Sequence, residues 1–327
     1  MNTSCEDMLN VATYKPLSIS LLILSTISTI AVPMLIFLIR KIIFNSLYHI
    51  NTRVIIVAHC IILLGHLINR IFLHASDLYR FLIIYPDVES ACDILLNSTN
   101  CFFYRMIFNY GIWFSGTTAP CIIVERFIAT KTPISYHKNR ITGIILVFVQ
   151  FFGCIGLSFM TYYGYVFGQQ KLYCMTAKPN RDLINTLPFV AIIILQIFSF
   201  INLYVLKKYN IHMKKMLERG KLTRRYQIEE TLRSLKTLTL PIQTMFISQM
   251  LFTTNTFYFQ RYYAAEISTE LFFTLSESIV LLPEYTIIFV FTFVKIENRI
   301  NIERITNLNE RINVKTDAYF EQYKNHW

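Results

Sequence analysis

Seven apolar segments, each of about 20 residues or more, constrain this chain more than any other feature. They cover residues 17–39, 54–73, 102–124, 141–167, 183–206, 237–259 and 271–294. Each is long enough for a helix to cross the ~30 Å hydrocarbon core of a bilayer. Charged residues make up 16% of the chain, against about 25% in soluble proteins. The segments therefore predict an all-α membrane protein built as a seven-helix bundle, rather than a barrel of short alternating strands.

The apolar segments divide the chain into three regions. Residues 1–16 precede the bundle, residues 17–294 form it, and residues 295–327 follow it. No basic start precedes the first segment, so we expect residues 17–39 to act as an uncleaved signal anchor. In the last region, apolar residues at near-helical spacing predict an amphipathic helix on the membrane face, with a loosely ordered tail as the alternative.

Lysine and arginine are distributed unequally between the two sides of the predicted bundle. Six lie in connections on the side of the N-terminus, and 23 lie on the other side. Because basic residues accumulate in cytoplasmic loops, this predicts an extracellular N-terminus and a cytoplasmic C-terminus. The net charge of +11 is explained by this excess of basic residues on the cytoplasmic side and by their attraction to anionic membrane lipids. A nucleic-acid partner is therefore not expected, and a protein partner surface is the alternative use of this charge.

Glycosylation sequons and cysteines agree with this orientation. Both N-x-S/T sequons, at Asn2 and Asn97, lie on the predicted outside. Four of the seven cysteines lie on the same side, where disulfides persist: Cys5, Cys92, Cys101 and Cys174.

Glu125 and Arg126 stand at the predicted cytoplasmic end of the third segment. An acidic-arginine pair at this position resembles that of seven-helix G-protein-coupled receptors. In that family the acidic neighbour holds the arginine in the inactive state, and the arginine meets the G protein in the active state. A semi-buried charge pair with two alternative partners can bias a bistable helix packing. The alternative is an ordinary pair of interfacial charges.

The resemblance also implies a disulfide between Cys101, at the outer end of the third segment, and Cys174, in the second outer loop. Cys5 and Cys92 then remain as a second pair, whose connectivity the sequence alone does not determine. The match to rhodopsin-like receptors is incomplete, because residues 281–285 read Leu-Leu-Pro-Glu-Tyr where Asn-Pro-x-x-Tyr is expected.

The whole seven-segment region is similar to nematode serpentine chemoreceptors of the class alpha group, of either the alpha or the alpha-beta class. The similarity rests on residues 47–53 (LYHINTR), Cys101 with Arg105, residues 125–130 (ERFIAT) and residues 283–286 (PEYT). It implies a chemosensory receptor in the plasma membrane of sensory neurons, acting in olfaction. Such a receptor couples a small environmental molecule to a heterotrimeric G protein, and no cofactor is expected.

Ionisable and aromatic side chains in the outer halves of the segments are candidates for a ligand pocket. Arg105 favours an anionic ligand, whereas Glu277 can pair with an arginine or with a cationic ligand. The alternative for both arginines is that they extend to the outer membrane interface. The candidate lining residues are Arg105, Tyr110, Trp113, His66, Arg70 and Glu277.

Three other classes of protein are weighed against a receptor. An enzyme is not expected, because we find no phosphate-binding loop, metal-ligand spacing or nucleophile motif in the sequence. A ligand-gated cation channel of the odorant-receptor type has seven segments in the opposite orientation, which the basic residues disfavour. A small-solute transporter is disfavoured by the lack of an internal repeat. The sequence leaves open whether the protein acts alone or as a homo- or heterodimer.

Overall fold

The chain is almost entirely helical in a computed structural model that describes residues 3–44, 48–84, 95–132, 136, 139–175, 183–216, 222–259 and 266–324. Within these residues there are nine α-helices. They are α1 (Thr3–Thr13), α2 (Lys15–Phe44), α3 (Ile50–Tyr79), α4 (Ser98–Lys131), α5 (Thr142–Thr161), α6 (Leu183–Met216), α7 (Leu222–Tyr258), α8 (Thr269–Ser278) and α9 (Leu282–Lys324). A wider π-helical turn, Arg80–Ile84, follows α3.

Six stretches of the described chain are long and apolar enough to cross a membrane: Lys15–Phe44, Ile50–Leu82, Ser98–Lys131, Thr142–Thr161, Ile184–Met216 and Thr269–Glu303. Helix α7 is longer than any of them, with 37 residues, but less apolar. Hydroxyls of Thr237, Thr239 and Thr253 on α7 donate to carbonyls of the preceding turn, so these polar groups are satisfied within the helix. With α7 as the remaining helix, the predicted fold class of an all-α seven-helix membrane bundle is confirmed.

Helix α4 is the centre of the bundle. It packs against α3, α5, α6 and α7, and 67% of its most apolar stretch is buried inside the protein, against 22% for α5. The peripheral helices instead expose large apolar side chains such as Leu22, Phe148 and Ile194. In a membrane these apolar side chains face lipid. A helix tolerates this contact because its backbone hydrogen bonds are satisfied within the helix.

The seventh apolar segment is broken into two helices, which the sequence does not predict. Helix α8 ends at Ser278 and α9 begins at Leu282. Pro283 follows at the second position of α9, where a proline is tolerated because the amide of the first turn has no helical partner. Helix α9 then continues without a break to Lys324. The membrane-surface position of residues 295–327 remains a prediction.

The N-terminal region forms a helix that caps one end of the bundle. Met8 and Val11 of α1 are fully buried, and they cluster with Leu17 of α2, Phe81 and Tyr173. A single residue, Tyr14, separates α1 from α2, which begins at Lys15. The described part of residues 1–16 is therefore packed against the bundle.

The chain after α5 turns back towards the same end. Gly164 and Gly168 have φ angles of 70° and 77°, a left-handed conformation that glycine adopts without a steric penalty. The returning strand β2 (Gln170–Lys171) pairs antiparallel with β1 (Leu96–Asn97), in a register that places Leu96 opposite Lys171. This small sheet positions the loop over the bundle.

A disulfide between Cys101 and Cys174 links this loop to the start of α4, with 5.1 Å between their Cα atoms. We refer to this end of the bundle as the disulfide end. The second pair that the sequence leaves over lies outside the described residues, because neither Cys92 nor the side chain of Cys5 is among them. Asn2 also lies outside them.

Candidate functional site

A cavity of about 50 Å³ lies inside the bundle near the disulfide end. Three of the six predicted pocket residues line it, namely Arg105, Trp113 and Glu277. The rest of its polar lining is Asn109, Thr161, Thr256 and Ser276, and its aromatic lining is Phe108, Phe189, Phe252 and Phe259. The cavity is thus walled mainly by rings, with a few polar groups, as ligand sites commonly are.

Glu277 of α8 connects three parts of the protein at the edge of this cavity. Its carboxylate pairs with the guanidinium of Arg105 on α4 and lies 3.3 Å from Nε2 of His74 on α3. Tyr173, next to the disulfide, donates from its hydroxyl to the same carboxylate at 3.2 Å. Arg105 also donates from Nε to the carbonyl oxygen of Cys174. Both charges are buried, and each is neutralised by the other.

Arg70 of α3 does not line the cavity; it forms hydrogen bonds at the break in the seventh helix. Nη1 donates to the carbonyl oxygen of Val280 at 2.8 Å, and Nη2 donates to that of Glu277 at 3.1 Å. Both carbonyls lie where α8 ends and the regular helical hydrogen bonds stop, although that of Glu277 also accepts from the amide of Val280 at 3.3 Å. Arg70 is fully buried and Arg105 is 4% exposed, so neither arginine extends to the membrane interface as the alternative interpretation expects.

Phe108 separates the two arginines. Its ring centroid lies 5.6 Å from the guanidinium carbon of Arg70 and 4.9 Å from that of Arg105. An aromatic ring attracts cations at such distances, which helps to stabilise two buried positive charges close together. The ring is itself part of the cavity wall.

His66 and Tyr110 do not line the cavity. Nδ1 of His66 lies 2.9 Å from the carbonyl oxygen of Phe108, which can only accept, so His66 fastens α3 to α4. Tyr110 is half-buried between α4 and α5, where its ring packs edge-on against Phe151 with 5.5 Å between centroids. Together with Arg70, these are the candidates that the structure assigns to packing contacts.

A second polar cluster lies midway along the bundle. Nε2 and Nδ1 of His59 lie 3.0 Å from the hydroxyls of Tyr285 on α9 and Thr118 on α4. Gln150 of α5 donates to the same Thr118 hydroxyl at 2.9 Å. Because Thr118 donates its own hydrogen to the carbonyl of Phe114, His59 donates from Nδ1 and accepts from Tyr285. The imidazole of His59 thus joins α3, α4 and α9, and the hydroxyl of Thr118 adds α5 to the cluster.

Glu125 and Arg126 lie at the opposite end of α4, and both side chains are buried. Arg126 donates from Nη2 to the hydroxyl of Thr52 at 2.6 Å and to that of Tyr136 at 2.9 Å. Thr52 also donates to Glu125 at 3.0 Å, and Tyr136 donates to the same carboxylate. A ring of His49 packs on Tyr136 with 4.4 Å between centroids. Arg126 is therefore held by its acidic neighbour and by α3.

Two tyrosines outside the membrane spans remain protonated donors in these clusters. Burial is the main cause that raises the pKa of Tyr173 well above its ordinary value, and the carboxylate of Glu277 adds to it. Burial likewise raises the pKa of Tyr136, although the positive charge of Arg126 works against the shift. Both phenols can thus donate to the buried carboxylates at neutral pH.

Among the hydrogen-bond partners of Glu277 and of the pair of Glu125 and Arg126, four residues are not identified from the sequence. His74 follows His66 and Arg70 at intervals of four, which places all three on one face of α3, so helical spacing is a signal that could have found it. Tyr173 directly precedes the disulfide cysteine of its loop. Thr52 lies within residues 47–53, on which the family similarity rests, but nothing in the sequence pairs it with Arg126. For Tyr136 we find no sequence signal, because its contacts depend on how the chain folds back after α4. In the described part of the chain, no group of three or more metal-ligating side chains forms a metal site.

The fold is a bundle of helices that are long and apolar enough to span a membrane, the architecture of seven-helix receptors. Residues 2–327 match the sequence profile of the family described as "Serpentine type 7TM GPCR receptor class ab chemoreceptor". The chain belongs to this family of serpentine chemoreceptors.

Two curated relatives are similar to the chain. It is 25% identical to "Serpentine receptor class beta-3" of Caenorhabditis elegans over 320 residues, which cover 92% of this chain and 89% of the relative. It is 30% identical to "Serpentine receptor class beta-12" of the same organism over 188 residues, covering 54% of this chain and 46% of the relative. Both relatives are named as serpentine receptors.

Proposed function

We propose that the protein binds a small molecule in the cavity near the disulfide end and activates a heterotrimeric G protein at the opposite end. One observation carries this proposal: the central helix α4 contributes both Arg105 at the cavity and Arg126 in the buried acidic-arginine pair. The 21 positions from Arg105 to Arg126 span about 30 Å of helix, close to the thickness of the hydrocarbon core.

The unequal distribution of basic residues supports an orientation in which the disulfide end is extracellular. This orientation exposes the cavity to environmental molecules and the pair of Glu125 and Arg126 to the cytoplasm. Asn97, whose side chain is exposed, is then available for N-glycosylation. We place the receptor in the plasma membrane of chemosensory neurons, in contact with anionic lipids of the inner leaflet.

The cavity and the seventh helix are linked through Glu277. This residue is bound by α3, α4 and the disulfide loop, and it stands directly before the break between α8 and α9. A ligand that contacts Glu277 or Arg105 changes the free energy of this arrangement relative to alternatives, which shifts the population of receptor states. Movement of α9 then alters the contact of Tyr285 with His59, midway along the bundle.

The final step is the release of Arg126. In the described arrangement its guanidinium is occupied by Glu125, Thr52 and Tyr136. It becomes available to a G protein only when it leaves Glu125, Thr52 of α3 and Tyr136. A buried charge pair of this type has two states: Arg126 is either held by Glu125 and its neighbours or available to a G protein.

The test is nucleotide exchange on a purified heterotrimeric G protein, with the receptor reconstituted in lipid nanodiscs. Wild-type receptor is expected to increase the basal exchange rate over empty nanodiscs, and the Arg126→Ala variant is expected to lose this increase. Lys131→Ala is the matched control, because Lys131 is an exposed basic residue at the same end of α4. Equal stimulation by the Arg126→Ala variant, or no stimulation by the wild type, would contradict the proposal.

The orientation is tested separately with epitope tags at both termini of the receptor expressed in cells. An N-terminal tag stained on intact cells, with a C-terminal tag stained only after permeabilisation, is the expected pattern. The reverse pattern would place Glu125 and Arg126 outside the cell. It would favour a ligand-gated cation channel, which is tested by recording ligand-gated currents.

A further inference from the structure

The charges at the cavity are balanced before any ligand arrives. The guanidinium of Arg105 pairs with the carboxylate of Glu277, which also accepts from Tyr173 and contacts His74. An anion would have to displace Glu277 from Arg105, and a cation would have to displace Arg105 from Glu277. Either would leave a displaced charge buried without its ion-pair partner, which is costly in a site of low dielectric. The cavity therefore favours a ligand without net charge.

Three hydrogen-bond donors of the cavity lining have no partner within the described chain. They are Nε1 of Trp113, the hydroxyl of Thr256 and the hydroxyl of Ser276, and all three atoms are buried. Buried polar groups are almost always paired in folded proteins. The indole nitrogen can only donate, and each hydroxyl can also donate. These groups match a ligand that carries a hydrogen-bond acceptor.

The size and the walls of the cavity limit the ligand further. A volume of about 50 Å³ corresponds to roughly four water-sized spheres, which suits a molecule of about four to six non-hydrogen atoms. Rings of Trp113 and Phe189 meet edge-on in the wall, with 5.0 Å between their centroids. Such walls favour a compact molecule with an apolar body.

We infer that the ligand is a small uncharged molecule with a carbonyl or ether oxygen, such as a short ketone or ester, held in the aromatic cavity by the free donors of Trp113, Thr256 and Ser276. This inference rests on the proposed function, in which the cavity is the ligand site. It replaces the anionic ligand that Arg105 suggests in the sequence, because Glu277 already occupies that guanidinium.

Trp113 is a built-in reporter for the test. The chain has two tryptophans, so the Trp327→Phe variant leaves Trp113 as the sole tryptophan, inside the cavity wall. This variant, in lipid nanodiscs, is titrated with four probes of similar size: 2-butanone, butyrate, butylammonium and pentane. We expect a saturable change in Trp113 fluorescence with 2-butanone alone. Because so few atoms make contacts, the dissociation constant is expected in the range of roughly micromolar to millimolar.

Two substitutions identify the donors. Thr256→Val and Ser276→Ala, each in the Trp327→Phe background, are expected to weaken 2-butanone binding by about two- to tenfold. Thr253→Val and Ser278→Ala are the matched controls, since these hydroxyls already donate to the carbonyls of Gln249 and Thr274 in their own helices. The controls are expected to bind 2-butanone as the parent variant does.

The outcomes separate the ligand class from the proposed function. Saturable binding of butyrate or butylammonium instead of 2-butanone would overturn the uncharged ligand while leaving the cavity as the site. Pentane binding as tightly as 2-butanone, or unchanged affinity in both donor variants, would overturn the role of the free donors. Linear quenching by all four probes, in a receptor that still stimulates nucleotide exchange, would overturn both the ligand class and the cavity as the ligand site.

Discussion

The guanidinium of Arg70 donates a 2.8 Å hydrogen bond to the main-chain carbonyl of Val280, at the break between α8 and α9. A second bond reaches the carbonyl of Glu277 at 3.1 Å. In a hydrocarbon environment a broken helix is tolerated only where other groups satisfy the freed carbonyls. The guanidinium of Arg70 on α3 therefore supplies the hydrogen bonds that the carbonyls at the break in the seventh helix require.

Replacing Arg70 with methionine is expected to lower the free energy of unfolding by about 3 kcal/mol, because two buried carbonyls lose a charged donor. Arg70→Lys should recover only part of this loss, since an ammonium group lacks the planar fork that reaches both carbonyls. The measurement is thermal unfolding of the purified receptor. Arg299→Met is the control, because Arg299 is an exposed residue of α9. Equal midpoints for Arg70→Met and the control would contradict this role.

Gly143→Ala is expected to destabilise the contact between α3 and α5. A Cβ atom at this position would lie 2.5 Å from the carbonyl oxygen of Asn51 and 2.6 Å from its Cα. Since these are backbone atoms, the helices would have to move apart, at a cost of about 1–3 kcal/mol. Gly153→Ala in the same helix is the control, as a Cβ there meets nothing within 4 Å. Thermal midpoints that fall equally in both variants would contradict the close approach.

Cys174→Ser is expected to reduce delivery of the receptor to the cell surface. The disulfide joins residues separated by 73 positions, and closing a loop of this length stabilises a fold by about 4 kcal/mol. Surface staining of a tagged receptor measures the effect. Cys121→Ser is the control, because Cys121 is a free cysteine on α4. A Cys174→Ser variant with normal surface levels would show that the disulfide is dispensable for folding.

Glu125→Gln is expected to raise basal G-protein activation roughly fivefold. The amide keeps the shape of the side chain but loses the charge, and charge-assisted hydrogen bonds are about twice as strong as neutral ones. Arg126 is then released more often from Glu125 and Thr52. The rate of nucleotide exchange without ligand is the readout. Glu303→Gln is the control, since Glu303 forms an exposed ion pair with Lys236 that contributes little stability. Basal exchange that stays unchanged in Glu125→Gln would argue against a restraint on Arg126.

The candidate site was only partly predictable because its residues meet through helix packing. The spacing of His66 and Arg70 places both on one face of α3, yet His66 binds the carbonyl of Phe108 and Arg70 binds that of Val280. Arg105 and Glu277 are 172 positions apart, so their pairing depends on how α4 and α8 approach each other. A sequence pattern reports which face a residue occupies, and not which partner faces it.

The sequence by itself determined the helical membrane fold, since the length and apolarity of the segments leave no other way to satisfy the backbone in lipid. It also contained the acidic-arginine pair of Glu125 and Arg126 and the cysteines of the disulfide. Only the tertiary structure decided that Glu277 neutralises Arg105 beside the cavity and that Pro283 follows a broken helix. The reason is that local patterns follow from chain chemistry, whereas the balance of buried charges depends on contacts between distant helices.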